Sequence, residues 1–310
     1  MEISVVIPVY GCRAALFELH KRLVSSLSTI TDSFEIILVD DNCPQNSWED
    51  IETICHRDHR VVGIHLSRNF GQIKAITAGL DHAKGEWVVV MDCDLQDRPE
   101  AIIDLYDKAQ EGFDVVFGRR IDRKDTAITK FLSRSFYKVY DYFTEGNFDS
   151  TICNFSISKR KVINYYSQMR EQNRAYTLFI KWLGFKQAAI DLQADERFAG
   201  KSSYNLKRKL TMAFEFITSQ SNKPLRFSIK TGFMMALVSF VYILYLIIKA
   251  SLGGVIIGWT TIVASIYLMG GLLLVSIGIM GIYVGNIFNE TKNRPLYAIS
   301  EILNEERREK

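Results

Sequence analysis

The sequence predicts an α/β domain built on a mostly parallel sheet, followed by a helical hairpin long enough to cross a membrane. Three observations predict it. Short apolar runs alternate with helical patterns through the first two thirds of the chain, and near-continuous apolar strands belong to sheets covered on both faces. Two acidic pairs, Asp40 with Asp41 and Asp92 with Asp94, stand directly after such runs. From Phe227 to Asn289 only Lys230 and Lys249 carry charge.

In chain order, strands are expected at Ile3–Ile7 (closed by Pro8), Glu35–Val39, Val61–Leu66, Trp87–Met91 and Val115–Phe117. Helical patterns fill the gaps at Ala14–Ser28, Ser47–His56, Gln72–Ala83 and Pro99–Glu111, the last with Pro99 suited to a first turn. Ligands of such sheets bind beyond the carboxyl ends of the strands, so the two acidic pairs are placed to line one crevice. The N-terminus has no basic region followed by a long apolar core and reads as a first strand.

The C-terminal third changes solvent. Runs at about 227–248 and 258–285 each reach the roughly 20 residues that a spanning helix needs. Lys223, Arg226 and Lys230 precede the hairpin and Lys292 and Arg294 follow it, against Lys249 at the tip. By the positive-inside rule both ends, and the N-terminal domain, face the cytoplasm. The Gly254–Gly258 and Gly281–Gly285 spacings suit close helix packing. Just upstream, Leu206, Leu210, Ala213, Phe214 and Ile217 recur at helical spacing beside Lys207, Arg208 and Lys209. That pattern reads either as an amphipathic helix on an anionic membrane surface or as a domain helix packed on the sheet.

Bulk composition narrows the classes. A net charge of +3 on 310 residues gives no nucleic-acid signature. The five cysteines, Cys12, Cys43, Cys55, Cys93 and Cys153, form no CxxC pair and read as reduced thiols of a cytosolic domain, with no zinc site.

The run "VVVMDCDLQDRPE" ends a buried strand in carboxylates. Asp92, Asp94 and Gln96 are oxygen donors of the kind that hard Mg²⁺ or Mn²⁺ ions take, usually together with substrate phosphates. Asp97, before Pro99, reads equally as a helix cap.

Taken together, "VVIPVY", "ILVDDN", "RNFG", "AGLDHAKG", "DCDLQDRPE" and "ERFAGKSSY", ahead of a two-helix hairpin, resemble the family 2 glycosyltransferases. Within that family they are most similar to the polyprenyl-phosphate glycosyltransferases, the group of dolichol-phosphate mannose synthase and bacterial enzymes that load sugar onto undecaprenyl phosphate. The resemblance covers nearly the whole chain. It implies a GT-A catalytic domain over 1–205, an amphipathic interfacial helix over 206–225, a transmembrane hairpin over 226–288 and a cytoplasmic tail over 289–310. It further implies a multi-pass protein of the cytoplasmic (inner) membrane and admits a homo-oligomer.

Residue by residue, the resemblance assigns Asp40, Asp41, Pro8 and Tyr10 to the nucleotide of a UDP-, GDP- or dTDP-sugar, where carboxylates accept base and ribose hydrogen bonds. Asp92, Asp94 and Gln96 match its Mg²⁺ or Mn²⁺ site, with Asp92 also facing the donor and Asp94 in a catalytic role. Arg197 matches an arginine near the lipid phosphate and, with Asp94 and Asn154, makes up the expected catalytic set; Arg120 and Arg134 are further candidates for the acceptor phosphate because guanidinium binds phosphate through two bonds. One departure stands out: relatives often carry Asp-Phe-Arg-Leu where this chain has Asn154 to Ile157. Asn154 is no base; it is expected to alter specificity or, in a plain structural reading, to cap a strand-to-helix turn. A lipid phosphate, with a second pKa of about 6, needs no base to attack. The rival readings are a family 2 enzyme with a saccharide acceptor and a non-catalytic nucleotide-sugar-binding scaffold. No Gln-x-x-Arg-Trp motif of polysaccharide synthases accompanies Trp182.

Overall fold

The structure is a computed structural model that describes residues 1–120, 151–193, 218, 221–252 and 258–305. Its centre is an eight-stranded sheet. The strands are β1 (Ile3–Val9), β2 (Phe34–Asp40), β3 (Val61–Leu66), β4 (Trp87–Val90), β5 (Val115–Arg120), β6 (Ile152–Lys159), β7 (Gln187–Leu192) and β8 (Ile299–Leu303), in spatial order β7-β5-β6-β4-β1-β2-β3-β8. The pairs β1–β2, β1–β4, β2–β3 and β5–β7 are parallel, whereas β6 runs antiparallel to β4 and β5, and β8 antiparallel to β3. The carboxyl ends of β1, β2 and β4 therefore share one edge.

Helices α1 (Leu16–Leu27), α2 (Ser47–Arg57), α3 (Gln72–His82), α4 (Ala101–Gln110), α5 (Arg160–Gln168) and α6 (Tyr176–Trp182) cover both faces. Ile3, Val5, Ile7 and Val9 pack on one side with Leu19, Leu23, Ile51 and Leu105. Val6, Val88 and Val90 pack on the other with Ile76, Leu80, Ile163 and Phe179. The period-2 alternation of strand side chains makes this division. Gly79 lets α3 lie close on the sheet: a Cβ there would stand 2.3 Å from Val6 Cγ1.

The expected elements appear with shifts of one or two residues at their ends. Pro99 lies just outside α4, in a turn closed by Ala101 N–H donating to Arg98 O at 3.0 Å. Asn154 sits inside β6, and α5 begins at Arg160, so the reading of Asn154 as a helix cap is corrected. Part of the tail expected over 289–310 is strand β8, whose neighbour Asn304 donates Nδ2–H to Cys55 O and Val61 O at 2.7 and 2.9 Å.

Two compact units divide the chain: 1–137, 147–204 and 294–310 form the sheet unit, and 138–146 with 205–293 the other. The second unit holds α7 (Lys223–Ser251) and α8 (Trp259–Thr291), both long and apolar enough to cross a membrane. Their large apolar side chains, such as Phe233 and Leu274, are exposed, which a soluble core helix would not allow. Ser228 donates to Ser276 at 3.1 Å and Tyr283 to Ser221 O at 2.6 Å within this unit. A Cβ at Gly281 or Gly285 would meet nothing within 4 Å, so that small-residue pair makes no close contact among the described residues. The amphipathic helix expected over 206–225 falls mostly outside the described residues, and its last three residues belong to α7.

Candidate active site

Parallel pairing brings the ends of β1, β2 and β4 side by side: Val9 pairs with Asp40, and Val6 with Val90. Pro8 lies beyond the β1–β4 ladder, so its missing N–H costs no hydrogen bond to β4. Pro8 is buried; Tyr10, just past the strand, is exposed.

Asp40 and Asp41 are both buried, and their oxygens are already engaged. Asp40 accepts from Cys43 N–H at 3.3 Å and bonds His65 Nδ1 at 2.8 Å. Asp41 accepts from Phe70 N–H at 2.7 Å and Gly71 N–H at 2.8 Å. Burial pushes both carboxyls above their ordinary values, against the pull of these hydrogen bonds. The visible work of Asp41 is to hold the "NFG" turn, where Gly71 takes a φ of +95° that other residues avoid. That turn starts α3 and delivers Gln72.

Gln72 donates Nε2–H to Asp92 Oδ1 at 2.7 Å, a contact that reading the sequence missed. Its signal was present: "RNFGQ" places a polar side chain at a helix start facing the β4 end. Asp92 keeps part of its surface open, yet burial, and then the charges of Asp97 and Asp94, push its carboxyl up to about 6. Asp94 accepts from Gln96 N–H at 3.2 Å in a turn whose Leu95 has a φ of +59°. Asp94 and Gln96 are half-buried at the same edge.

Asp97 is buried and gripped by Arg120, whose Nη2–H groups reach its two oxygens at 2.8 and 2.9 Å. Arg120 thus lies beside the acidic cluster but is engaged by protein rather than free for a phosphate. Continuing the antiparallel register past Val90–Ser156 brings Asn154 level with Asp92. Arg134 and Arg197 lie outside the described residues.

Cys12 and Cys93 form a disulfide, with Cα atoms 6.1 Å apart. The expectation of five reduced thiols is therefore corrected for this pair; Cys43, Cys55 and Cys153 are in no disulfide. The two residues stand 81 apart in sequence, and only the β1–β4 pairing makes them neighbours.

The donor set suits a hard divalent cation that a substrate completes. Among the described residues no group of three or more His, Cys, Asp or Glu side chains forms a closed metal cage. Two crowded carboxylates and an amide oxygen remain, and Mg²⁺ sites commonly pair one or two carboxylates with substrate phosphates. Burial first, and then the charges of Asp97 and Asp94, disfavour the ionised Asp92, and a cation there would favour it.

Residues 4–167, more than half of the chain, match the profile described as Glycosyl transferase family 2. The chain belongs to the family 2 glycosyltransferases. Family members similar to it over nearly full length include the uncharacterized glycosyltransferase YkcC of Bacillus subtilis, 34% identical over 97% of this chain and 94% of the relative. The bactoprenol glucosyl transferase of Shigella phage SfII is 32% identical over 97% of this chain and 98% of the relative. Among solved structures, the glucosyl-3-phosphoglycerate synthase of Mycobacterium tuberculosis, in complex with Mn²⁺, UDP and phosphoglyceric acid, is 18% identical with a TM-score of 0.49, covering 70% of this chain and 76% of its own. As a family 2 glycosyltransferase with a mostly parallel mixed sheet, the protein has the GT-A fold, followed by two apolar helices.

Proposed function

We propose that this glycosyltransferase moves a sugar from a UDP-, GDP- or dTDP-sugar onto a polyprenyl phosphate, of the undecaprenyl type, at the cytoplasmic face of the inner membrane, with inversion and with Mg²⁺ or Mn²⁺ bound. The observation that carries this reading is the position of Asp92, Asp94 and Gln96 just past β4, at the carboxyl edge of a family 2 domain whose chain continues into an apolar hairpin. The near full-length similarity to a bactoprenol glucosyl transferase supports the lipid acceptor.

Asp92 and Asp94, with Gln96, would hold the cation, which when bound neutralises the diphosphate leaving group. Gln72 orients the Asp92 carboxylate, and Asp41 holds the turn that carries Gln72. Tyr10, exposed past β1, offers a ring face to the nucleotide base. The acceptor phosphate is largely dianionic at neutral pH, so no residue must take a proton from it, and Asn154 in place of an acid is compatible with the reaction. One in-line attack on an α-linked donor gives a β-linked sugar phosphate lipid. Two spans would return the chain to the side of the membrane from which it entered. The flanking Lys and Arg residues favour the cytoplasmic side.

The test is purified protein in detergent with undecaprenyl phosphate, Mg²⁺ or Mn²⁺ and a panel of nucleotide sugars, followed by mass spectrometry. A sugar-lipid that needs both metal and lipid phosphate is expected, and Asp94→Asn should cut its formation roughly a hundredfold or more at an unchanged melting temperature. Transfer to a saccharide but not to the lipid would overturn the reading.

A further inference from the structure

The Cys12–Cys93 disulfide joins the two loops that frame the candidate metal site. Cys12 follows exposed Tyr10 and Gly11 in the turn after β1. Cys93 stands between Asp92 and Asp94 and is buried at 6% exposure, while both neighbours keep part of their surface open. We propose that this pair is a reversible thiol–disulfide site, oxidised by a low-molecular-weight disulfide, whose bonded form presents Asp92 and Asp94 for tighter divalent-cation binding. The proposal rests on the metal reading given above.

The physical argument concerns what holds residues 91–97 in place. The ladder between β1 and β4 ends at Val6–Val90, and the one between β4 and β6 at Val90–Ser156. Met91 N–H donating to Val6 O at 3.1 Å continues the backbone link one residue further. Past it the segment leaves regular strand and turns through Leu95 at positive φ. Asp97 is anchored by Arg120 at the far end and Asp92 by Gln72. The covalent tie at the middle of the motif is the bond from Cys93 to the neighbouring loop. Opening it frees that middle residue, and with it the spacing of the carboxylates on either side. Disulfides in a cytoplasm-facing domain are usually transient and redox-sensing, and a 6.1 Å Cα separation meets the geometric need for closing without backbone movement.

The exchange balances. Cys12 is as buried as Cys93, at 6% exposure, but its neighbour Gly11 is exposed, so the exchange is written from Cys12. Its sulfur attacks one sulfur of the small disulfide, forming a mixed disulfide and releasing one small thiol. Cys93 sulfur then attacks the Cys12 sulfur, forming the Cys12–Cys93 bond and releasing the second thiol. The two protein thiols are oxidised, the small disulfide is reduced by two electrons, and the two cysteine protons leave on the released thiols.

Two measurements on the purified full chain test this. Peptide mapping with differential alkylation follows which cysteines are joined after treatment with glutathione disulfide. Electron paramagnetic resonance of free Mn²⁺ then gives Mn²⁺ affinity in the oxidised protein and in protein reduced with a phosphine that is afterwards removed. The expected result is a Cys12–Cys93 bond and Mn²⁺ binding roughly tenfold weaker on reduction, as for loss of a support behind a metal ligand. Cys12→Ser/Cys93→Ser protein should bind like the reduced form whatever the treatment. A bond from Cys12 to Cys43 instead, whose Sγ accepts from Gly11 N–H at 3.2 Å, overturns the assignment, as do two thiols that stay alkylatable. Equal Mn²⁺ affinity in both redox states overturns the proposal while leaving the metal reading standing. No saturable Mn²⁺ binding in either state, or binding indifferent to Asp94→Asn, takes down the metal reading and this proposal with it.

Discussion

Removing the Arg120 side chain should destabilise the sheet unit, because it abandons a carboxylate that water barely reaches. Asp97 is 2% exposed at its side chain, and Arg120, at 28%, makes the fork that neutralises it. Breaking one side of a buried pair costs about 3–5 kcal/mol; the partial access of water to Arg120 places the expected loss for Arg120→Met at the lower end, about 3 kcal/mol. For a unit of this size that lowers the melting temperature by roughly 6–12 °C. The assay is thermal unfolding in detergent of Arg120→Met, Asp97→Asn and the double variant. The amide that Asp97→Asn introduces has no charge to be left unpaired, so the double variant should recover part of the loss, with a coupling of about 1–3 kcal/mol. The same proteins decide between a structural and a substrate-binding arginine. If Arg120 serves Asp97, the KM for polyprenyl phosphate follows stability and recovers in the double variant. An Arg120→Met protein that melts like wild type and shows a raised acceptor KM would refute the reasoning.

Three further expectations concern single contacts. Gln72→Met keeps length and helix propensity but removes the donor to Asp92; Mn²⁺ affinity should fall roughly tenfold with melting unchanged, and unaltered Mn²⁺ binding would argue against a positioning role. Gly79→Ala puts a Cβ 2.3 Å from Val6 Cγ1 and 3.1 Å from Val39 Cγ2; the overpacking should cost about 1–3 kcal/mol, read as a lower denaturant midpoint that adding Val6→Ala partly restores. Asp58 is held down at about 2: burial works to raise it, but hydrogen bonds from Arg60 and His20 outweigh that. A lowered folded pKa stabilises above the unfolded value of about 3.9, and that stability is lost as pH falls towards 2. Discounted for the exposed Arg60, the increment is about 1–2 kcal/mol. The stability gap between wild type and Asp58→Asn should therefore shrink between pH 5 and pH 2.5, and a constant gap would contradict it.

How much of this was legible in the chain differs by region. β1 to β5 are readable because most of each apolar run is buried on both faces, so its hydrophobicity is near-continuous, and α1 to α4 because their apolar residues recur at helical spacing. β6, β7 and β8 are not, since their runs mix Asn, Ser, Gln and Glu with apolar residues at or near the sheet edges. β8 is the sharper case. Its five residues follow a 33-residue helix, and nothing local says that they return to pair with β3.

The sequence by itself determined the α/β class, the apolar hairpin, and the acidic motifs that mark a family 2 glycosyltransferase, because periodicity, uncharged length and short motifs are all local properties. Only the tertiary structure decided what those residues touch. It set Asp41 to hold the turn before α3, Gln72 against Asp92, Arg120 against Asp97, and Cys12 against Cys93. The physical reason is that each of these partnerships crosses from one β-strand end or loop to another. Distance between strands depends on sheet order and register, and those are fixed by the packing of the whole core rather than by any short stretch of chain.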